Sequence, residues 1–301
     1  MSSHRTTARG TPVLALAVLL ATVGTALAGS RRTPATIVFP VLASATYTDD
    51  FGDPRPGGPH QGIDILAPKR SLALAAEAGK VEFWTSSRTA GCMLYLHGQS
   101  GTTYDYIHLN NDQTARNDNR GKCVPGTAYA RGLKGGARVS SGQPVGYVGD
   151  SGDADGVHPH LHFELHPGGG PAVDPYPWLK RAQHLLFTAR RGTPFMLELR
   201  GTVAAVSQNA LRMKAGSVDA WPMRQHQSKL GRTLLVLVPS SATVQSVTKP
   251  GAPGTPAKLS SARAGQQVDL YTVLAPTTLK AERGDDLALT ASVVSLVISR
   301  R

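Results

Sequence analysis

The sequence predicts an all-β protein made of two β units, and three observations carry that expectation. Short apolar runs recur at even spacing between residues 42 and 179, with Gly and Asp filling the gaps, as in short antiparallel strands joined by turns. A second run of alternating apolar and polar residues begins near Phe195 and continues toward the C-terminus. Glycine (32 residues) and proline (21) are plentiful in a chain of 301, so turns are frequent.

Taken in chain order, residues 1–28 read as a secretory signal peptide. Arg5 and Arg9 make a positive start, an apolar stretch runs from about Pro12 to Leu27, and Ala26-Leu27-Ala28 is a small-x-small cleavage site before Gly29. An uncleaved N-terminal anchor is the alternative. Arg31-Arg32 follows the apolar stretch rather than preceding it, which argues against a twin-arginine route. Residues 29–41 form a polar lead-in. The first β unit spans 42–180, with strands expected at 63–66, 81–84, 92–96, 103–109, 145–148 and 161–165. The polar stretch from Asn110 to about Ala137 interrupts this rhythm and reads as a long surface loop. Pro175 and Pro177 close the unit, because proline cannot continue a strand ladder. Residues 181–195 are a linker, with a short helix or connector between Trp178 and Arg190. Residues 196–301 form an accessory β domain. Leu197, Leu199, Val203, Val206, Leu211 and Met213 alternate with polar residues, further runs follow at 233–238, 268–274 and 292–298, and 249–257 is a Pro/Gly loop. A small barrel or sandwich, an OB-like barrel included, fits that pattern, which holds no clustered His, Asp, Glu or Cys.

Composition narrows the class. With 41% hydrophobic and 17% charged residues the chain is not disordered throughout. Lys and Arg number 32 against 20 acidic residues, a net charge of +12, which favours an anionic partner such as a cell-wall polymer. No apolar run of about 20 residues lies outside the N-terminus, so the mature chain is not expected to span a membrane. Export and the scarcity of aromatics, at 6%, argue against a nucleic-acid binder. Export also makes the two cysteines readable. An oxidising compartment favours pairing Cys92 with Cys123, two separate thiols being the alternative. Closing that loop is worth on the order of 3 kcal/mol.

The histidines point to chemistry. His60 and Asp64 are four apart, and His160 and His162 form His-x-His; either pattern alone is weak. Along a strand, His158, His160, His162 and Glu164 share one face while Leu161, Phe163 and Leu165 share the other. The apolar face belongs in a core, so the polar face lines something wet. Imidazole and carboxylate are ligands zinc accepts, and three protein ligands plus water is the catalytic pattern.

Four segments then occur in order: His60-Gln61-Gly62-Ile63-Asp64-Ile65, Tyr106-Ile107-His108-Leu109, Gly142-Gln143-Pro144-Val145-Gly146, and Pro159-His160-Leu161-His162-Phe163-Glu164-Leu165. Over about residues 45–180 the chain resembles the lysostaphin-type (LytM-like) zinc metalloendopeptidases, which hydrolyse peptidoglycan peptides. The resemblance implies a compact antiparallel β unit with its site in a groove on one sheet. It implies one zinc held by His60, Asp64 and His162, with His108 and His160 as catalytic histidines. It also implies a peptidoglycan substrate outside the membrane, in the wall or periplasm. All five positions carry the expected residue type, which disfavours the alternative of a non-enzymatic wall-binding or amidase-activating relative. The chain departs from the family pattern in its long 110–137 loop, which contains Cys123, and in His158, read as a solvent-exposed rim residue. Asp150, Asp153 and Asp155 read as a turn rather than a calcium loop. Tyr104 and Tyr106 read equally well as groove hydroxyls or as packing.

Overall fold

The structure, a computed structural model, describes residues 34–114, 116–285 and 288–298; the signal peptide expected over 1–28 and residues 29–33 of the lead-in lie outside them. The first half contains strands β1 (Val41–Leu42), β2 (Pro54–Arg55), β3 (Gly58–Pro59), β4 (Ile63–Leu66), β5 (Leu72–Leu74), β6 (Gly79–Ser87), β7 (Gly91–Gly98), β8 (Thr102–Leu109), β9 (Arg138–Val139), β10 (Pro144–Tyr147) and β11 (His160–Pro167). They form an antiparallel six-stranded sheet in the order β4-β11-β8-β7-β6-β9, a three-stranded sheet β1-β5-β10, and the β2-β3 hairpin.

Alternation decides which face of the large sheet is dry. In β4, Ile63 and Ile65 are fully buried while Asp64 between them is not. In β11, Leu161, Phe163 and Leu165 enter the core, so His160, His162, Glu164 and His166 take the opposite face. Tyr104 and Tyr106 of β8 pack around Phe163, with ring centroids at 5.9 and 5.4 Å. The Tyr106 hydroxyl donates to Leu74 O at 2.9 Å, so both tyrosines serve packing and neither reaches the groove. Burying each such aromatic contributes roughly 1.5–3 kcal/mol, which anchors β8 and β11 against each other.

The 110–137 segment has no long strand, as its polar composition suggests, but it is not wholly a surface loop. Ala128, Tyr129, Ala130 and Leu133 are buried, and the Tyr129 ring stacks on Phe83 at 3.8 Å. The apolar residues at its end return the chain to the core. Cys92 and Cys123 are joined in a disulfide, which ties the segment to β7.

A short helix, α1 (Tyr176–Leu179), packs on the core of the first half, and the second half contains β12 (Pro194–Val206), β13 (Ala210–Trp221), β14 (Gln225–Leu237), β15 (Thr243–Val247), β16 (Thr255–Pro256), β17 (Gln267–Thr272), β18 (Ala275–Pro276), α2 (Leu279–Arg283) and β19 (Ala291–Val297). The sheet order is β14-β13-β12-β17-β19-β15-β16, with β18 on β12. Every pair is antiparallel except β15 with β19. The Leu237 N–H donates to Leu289 O at 3.0 Å, and Leu237 bridges Thr290, so the end of β14 returns to the start of β19. That return is compatible with the barrel expected here. In α2 the Thr278 hydroxyl accepts the Ala281 N–H, and Gly284 ends the helix at φ 75°.

The connector between the halves is tightly packed. Leu185 joins Val38, Leu42 and Leu74 in one apolar cluster, while Leu186 and Phe187 belong to the core of the second half. The Gln227 amide donates to Leu185 O and Leu186 O, and the Thr188 hydroxyl to Gly142 O. Among the described residues no helix is long and apolar enough to cross a membrane.

Candidate metal centre

His60 lies in the loop before β4, and Asp64 is the second residue of that strand. β11 pairs with β4 so that His162 lies opposite Asp64. The approach is close enough to require glycine at position 62, where a Cβ would stand 2.6 Å from Phe163 O and 2.8 Å from His162 Nε2. These constraints draw three ligand atoms together. Asp64 Oδ1 is 3.2 Å from His60 Nε2 and 3.1 Å from His162 Nδ1, and the two ring nitrogens are 2.9 Å apart.

The remaining ring nitrogens are already committed. His60 Nδ1 donates to Asp50 O at 2.8 Å, and His162 Nε2 donates to Glu164 Oε1 at 2.9 Å. With those protons assigned by their acceptors, His60 Nε2 and His162 Nδ1 turn lone pairs toward the carboxylate. A proton or a cation must stand between them. Burial raises the Asp64 carboxyl, but hydrogen bonds from His162 and His60 outweigh it and hold the group well below the usual carboxylate range. Burial lowers the His162 ring, but its bonds to Asp64 and Glu164 prevail and raise it to about 9. This donor set, two imidazoles and one carboxylate, suits zinc.

His108 and His160 stand beside this group in a different posture. His108 Nδ1 donates to Ser151 O at 2.8 Å, and His160 Nδ1 to His158 O at 2.9 Å. Both therefore present an unprotonated Nε2 inward. Their ring centroids are 5.1 Å apart, and His160 Nε2 is 3.6 Å from Asp64 Oδ1. Burial, aided by the neighbouring His160 ring, pushes the His108 ring down to about 4, so it is neutral at pH 7. His108 also holds φ at 60°, a left-handed conformation rare for a residue with a Cβ.

The orientation of His108 depends on Ser151. The Ser151 hydroxyl accepts the Cys92 N–H at 2.9 Å and donates to Leu109 O at 2.5 Å. The disulfide-bearing strand thus holds the residue whose carbonyl aims the His108 ring.

All five residues expected at the site are brought to one patch. His158 is not on the strand, which begins at His160; it is exposed and caps the edge. Two participants were missed in the sequence. Arg55, on the β2-β3 hairpin, donates to Asp64 Oδ2 at 3.0 Å and to Asp50 Oδ2 at 3.1 Å. Its only signal was the Pro56-Gly57-Gly58 turn that follows it, just before His60. Asp105 was hidden between two buried tyrosines, and with Glu164 and His166 it forms a second trio of metal-capable type. There His166 Nε2 donates to Glu164 Oε2 at 2.6 Å while His166 Nδ1 donates to Gly170 O. The bond to Glu164 raises His166 to about 9, so this trio is an ion pair with Asp105 alongside. Asp105 is raised to about 7 by burial, opposed by the charge of His166 and reinforced by that of Glu164.

The geometry defines a class before any relative is considered: a β-sheet protein with a three-ligand metal-capable group and two neutral-capable histidines in one groove. No family model matches the chain. Among curated proteins it is 28% identical over 152 residues to the L-Ala–D-Glu endopeptidase of Bacillus subtilis, covering 47% of this chain and 41% of that protein. It is 27% identical over 157 residues to the DD-carboxypeptidase/endopeptidase Mpg of Neisseria meningitidis, covering 50% and 31%. The chain thus spans less than half the length of these relatives. Among solved structures, the catalytic domain of lysostaphin from Staphylococcus simulans matches at 26% identity and TM-score 0.35, covering 45% of this chain and 92% of that one. A zinc-containing peptidase from Vibrio cholerae matches at 23% and 0.33, covering 45% and 38%. Scores this low carry no weight beyond the sequence likeness. Motifs, site and curated relatives together support the lysostaphin-type (LytM-like) peptidase family for this chain.

Proposed function

We propose that the protein is an exported zinc metallopeptidase that hydrolyses peptide bonds of peptidoglycan. The observation that carries this reading is the convergence of His60 Nε2, Asp64 Oδ1 and His162 Nδ1 within 3.2 Å, beside two histidines whose Nε2 atoms approach only carboxylates, at 3.6 and 3.7 Å. In this reading His60, Asp64 and His162 hold the ion. Bound there, zinc supplies Lewis acidity, polarising a carbonyl and bringing the pKa of water toward about 7. The substrate class is supported by the names of the curated relatives, both of them peptidases.

The chain's own groups divide the remaining work. The sequence offers no His-Glu-x-x-His glutamate base. His108 is neutral at pH 7, and its Nε2 can take a proton from the attacking water. Once protonated, His108 can return that proton from Nε2 to the leaving amine, while the unprotonated Nε2 of His160, in a ring 5.1 Å away, is a second acceptor facing the same space. Ser151 O and His158 O keep both rings in the tautomer this requires. Glu164 holds the His162 ring from behind.

The test combines metal content with turnover. Purified protein should carry about one zinc and release peptides, identified by mass, from purified sacculi. Zinc-loaded protein that releases no peptide from any sacculus type would overturn the enzymatic reading.

A further inference from the structure

Away from the groove, the two halves enclose a cleft of about 1200 Å³ lined from both sides. Six basic residues line it: Lys69, Arg70, Arg131, Arg190, Arg191 and Arg224. Lys69 is neutralised by Asp112 at 2.7 Å and Asp150 at 2.8 Å. The Arg70 guanidinium donates only to the carbonyls of Asp112 and Gln113. Among the described residues, Arg131, Arg190, Arg191 and Arg224 have no carboxylate partner. Glu282 is the one acidic residue in the lining, and its carboxylate is turned to the Ala189 N–H at 2.9 Å.

Five exposed guanidinium groups without a carboxylate partner around one concavity give it a strongly positive potential. Low-dielectric walls focus the field of such a cleft and concentrate counter-ions in it. The backbone adds a second observation. Of five non-glycine residues with positive φ among the described residues, two are Arg70 (67°) and Arg224 (55°), both on the cleft, and a third is His108. Backbone of this kind concentrates at functional sites, because glycine would adopt it without penalty. Of Phe, Tyr and Trp, Tyr147 alone lines the cleft, so there is no platform on which successive bases could stack. The Ser140 hydroxyl and the Gln143 amide N–H2 instead supply neutral hydrogen-bonding groups of the kind that sugar hydroxyls use.

We propose that this cleft binds a linear anionic polyhydroxylated polymer, of sugar or polyol units, carrying phosphate or carboxylate groups at intervals along its chain. Guanidinium forks match both anions with paired N–H donors. Because the cleft is walled by both halves, an occupant bridges them and holds the hydrolytic groove near the polymer. The site stands whether or not the peptidase reading holds.

The experiment uses the full chain and polymers that contain no peptide bond, so hydrolysis does not enter. Labelled poly(glycerol phosphate) and polygalacturonate are titrated across a salt series, beside neutral dextran and oligo(dT). Both acidic polymers should bind with a steep salt dependence, and the tighter one identifies the source of the anion. Combined Arg131→Ala, Arg190→Ala, Arg191→Ala and Arg224→Ala should weaken binding roughly tenfold or more and flatten the log–log salt slope by about one per guanidinium removed. Lysine at the same four positions should restore most of the binding, and an unchanged melting temperature shows that the alanine variant is folded. Equal binding by wild type and the alanine variant overturns the site. Binding of dextran as strong as that of the acidic polymers, or oligo(dT) as the tightest ligand, overturns the proposed occupant.

Discussion

Each half of the molecule sets a buried carboxylate pair on the face of its sheet. In the first half Glu164 and Asp105 lie directly opposite on β11 and β8. In the second half Glu198 of β12 lies near Asp269 of β17, which is the cross-strand partner of Arg200. The difference is in the counter-charge. Glu164 is flanked by His162 and His166, whereas Glu198 and Asp269 share Arg200. Imidazole can lose its proton near neutrality and offer a lone pair; guanidinium cannot. The same strand geometry therefore gives a group with imidazole lone pairs to offer a metal in one half, and in the other a carboxylate pair whose cation has no lone pair to offer. Site chemistry here is decided by which cation stands beside the carboxylates.

That contrast can be broken most sharply at the ligands. His60→Ala, Asp64→Ala and His162→Ala should each abolish metal binding and reduce hydrolysis by more than about a thousandfold. Metal analysis of dialysed protein checks this, and full zinc occupancy in His162→Ala would defeat the assignment. Next in size, His108→Ala and His160→Ala should keep zinc while losing roughly a hundred- to ten-thousandfold in rate. Zinc loss in His160→Ala would move that residue among the ligands. Glu164→Ala removes the acceptor that aims His162, and zinc affinity should fall roughly 10- to 100-fold, read by competition with a chelating dye. The equivalent cut in the second half, Arg200→Ala, should leave turnover unchanged. Because Arg200 is half-exposed, its loss should cost only about 1 kcal/mol of stability by denaturant titration.

The smallest effects separate the halves by sign. His108 is lowered to about 4 when folded, so the unfolded chain binds the proton more readily. Its contribution is present above the ordinary histidine pKa of about 6.5 and fades as pH falls from there toward 4. Asp269 is raised to about 6, by burial and by the charge of Glu198. Its contribution is present below the ordinary Asp value of about 3.9 and is lost as pH rises toward 6. In chelator-treated protein, thermal melts from pH 4 to 7 should therefore show opposite changes. His108→Gln should raise relative stability at the acid end, and Asp269→Asn at the neutral end. Changes of the same sign in both variants would contradict these environments.

Much of this was legible from strand alternation. Ile-Asp-Ile in β4 and His-Leu-His-Phe-Glu-Leu in β11 state which side chains face the core, and apolar burial enforces the register. What escaped the sequence depends on partners distant along the chain. Arg55 matters because a hairpin folds it over Asp64, and Asp105 matters because β8 lies beside Glu164. The burial of Tyr129 within a segment that reads as polar follows from one stacking partner, Phe83, 46 residues earlier. The cleft arginines are scattered over more than 150 positions and form a patch only when the halves meet.

The disulfide extends further than the loop it closes. From Cys92 the path runs through its own N–H to the Ser151 hydroxyl, and from the Ser151 carbonyl to the His108 ring. Two electrons delivered to the sulfur pair would untie the 110–137 segment from β7 without touching any metal-capable residue. The strand would then keep its ladder but lose the covalent brace next to the serine that steers a proton acceptor. The covalent brace therefore lies one backbone hydrogen bond away from the serine whose carbonyl orients the His108 ring.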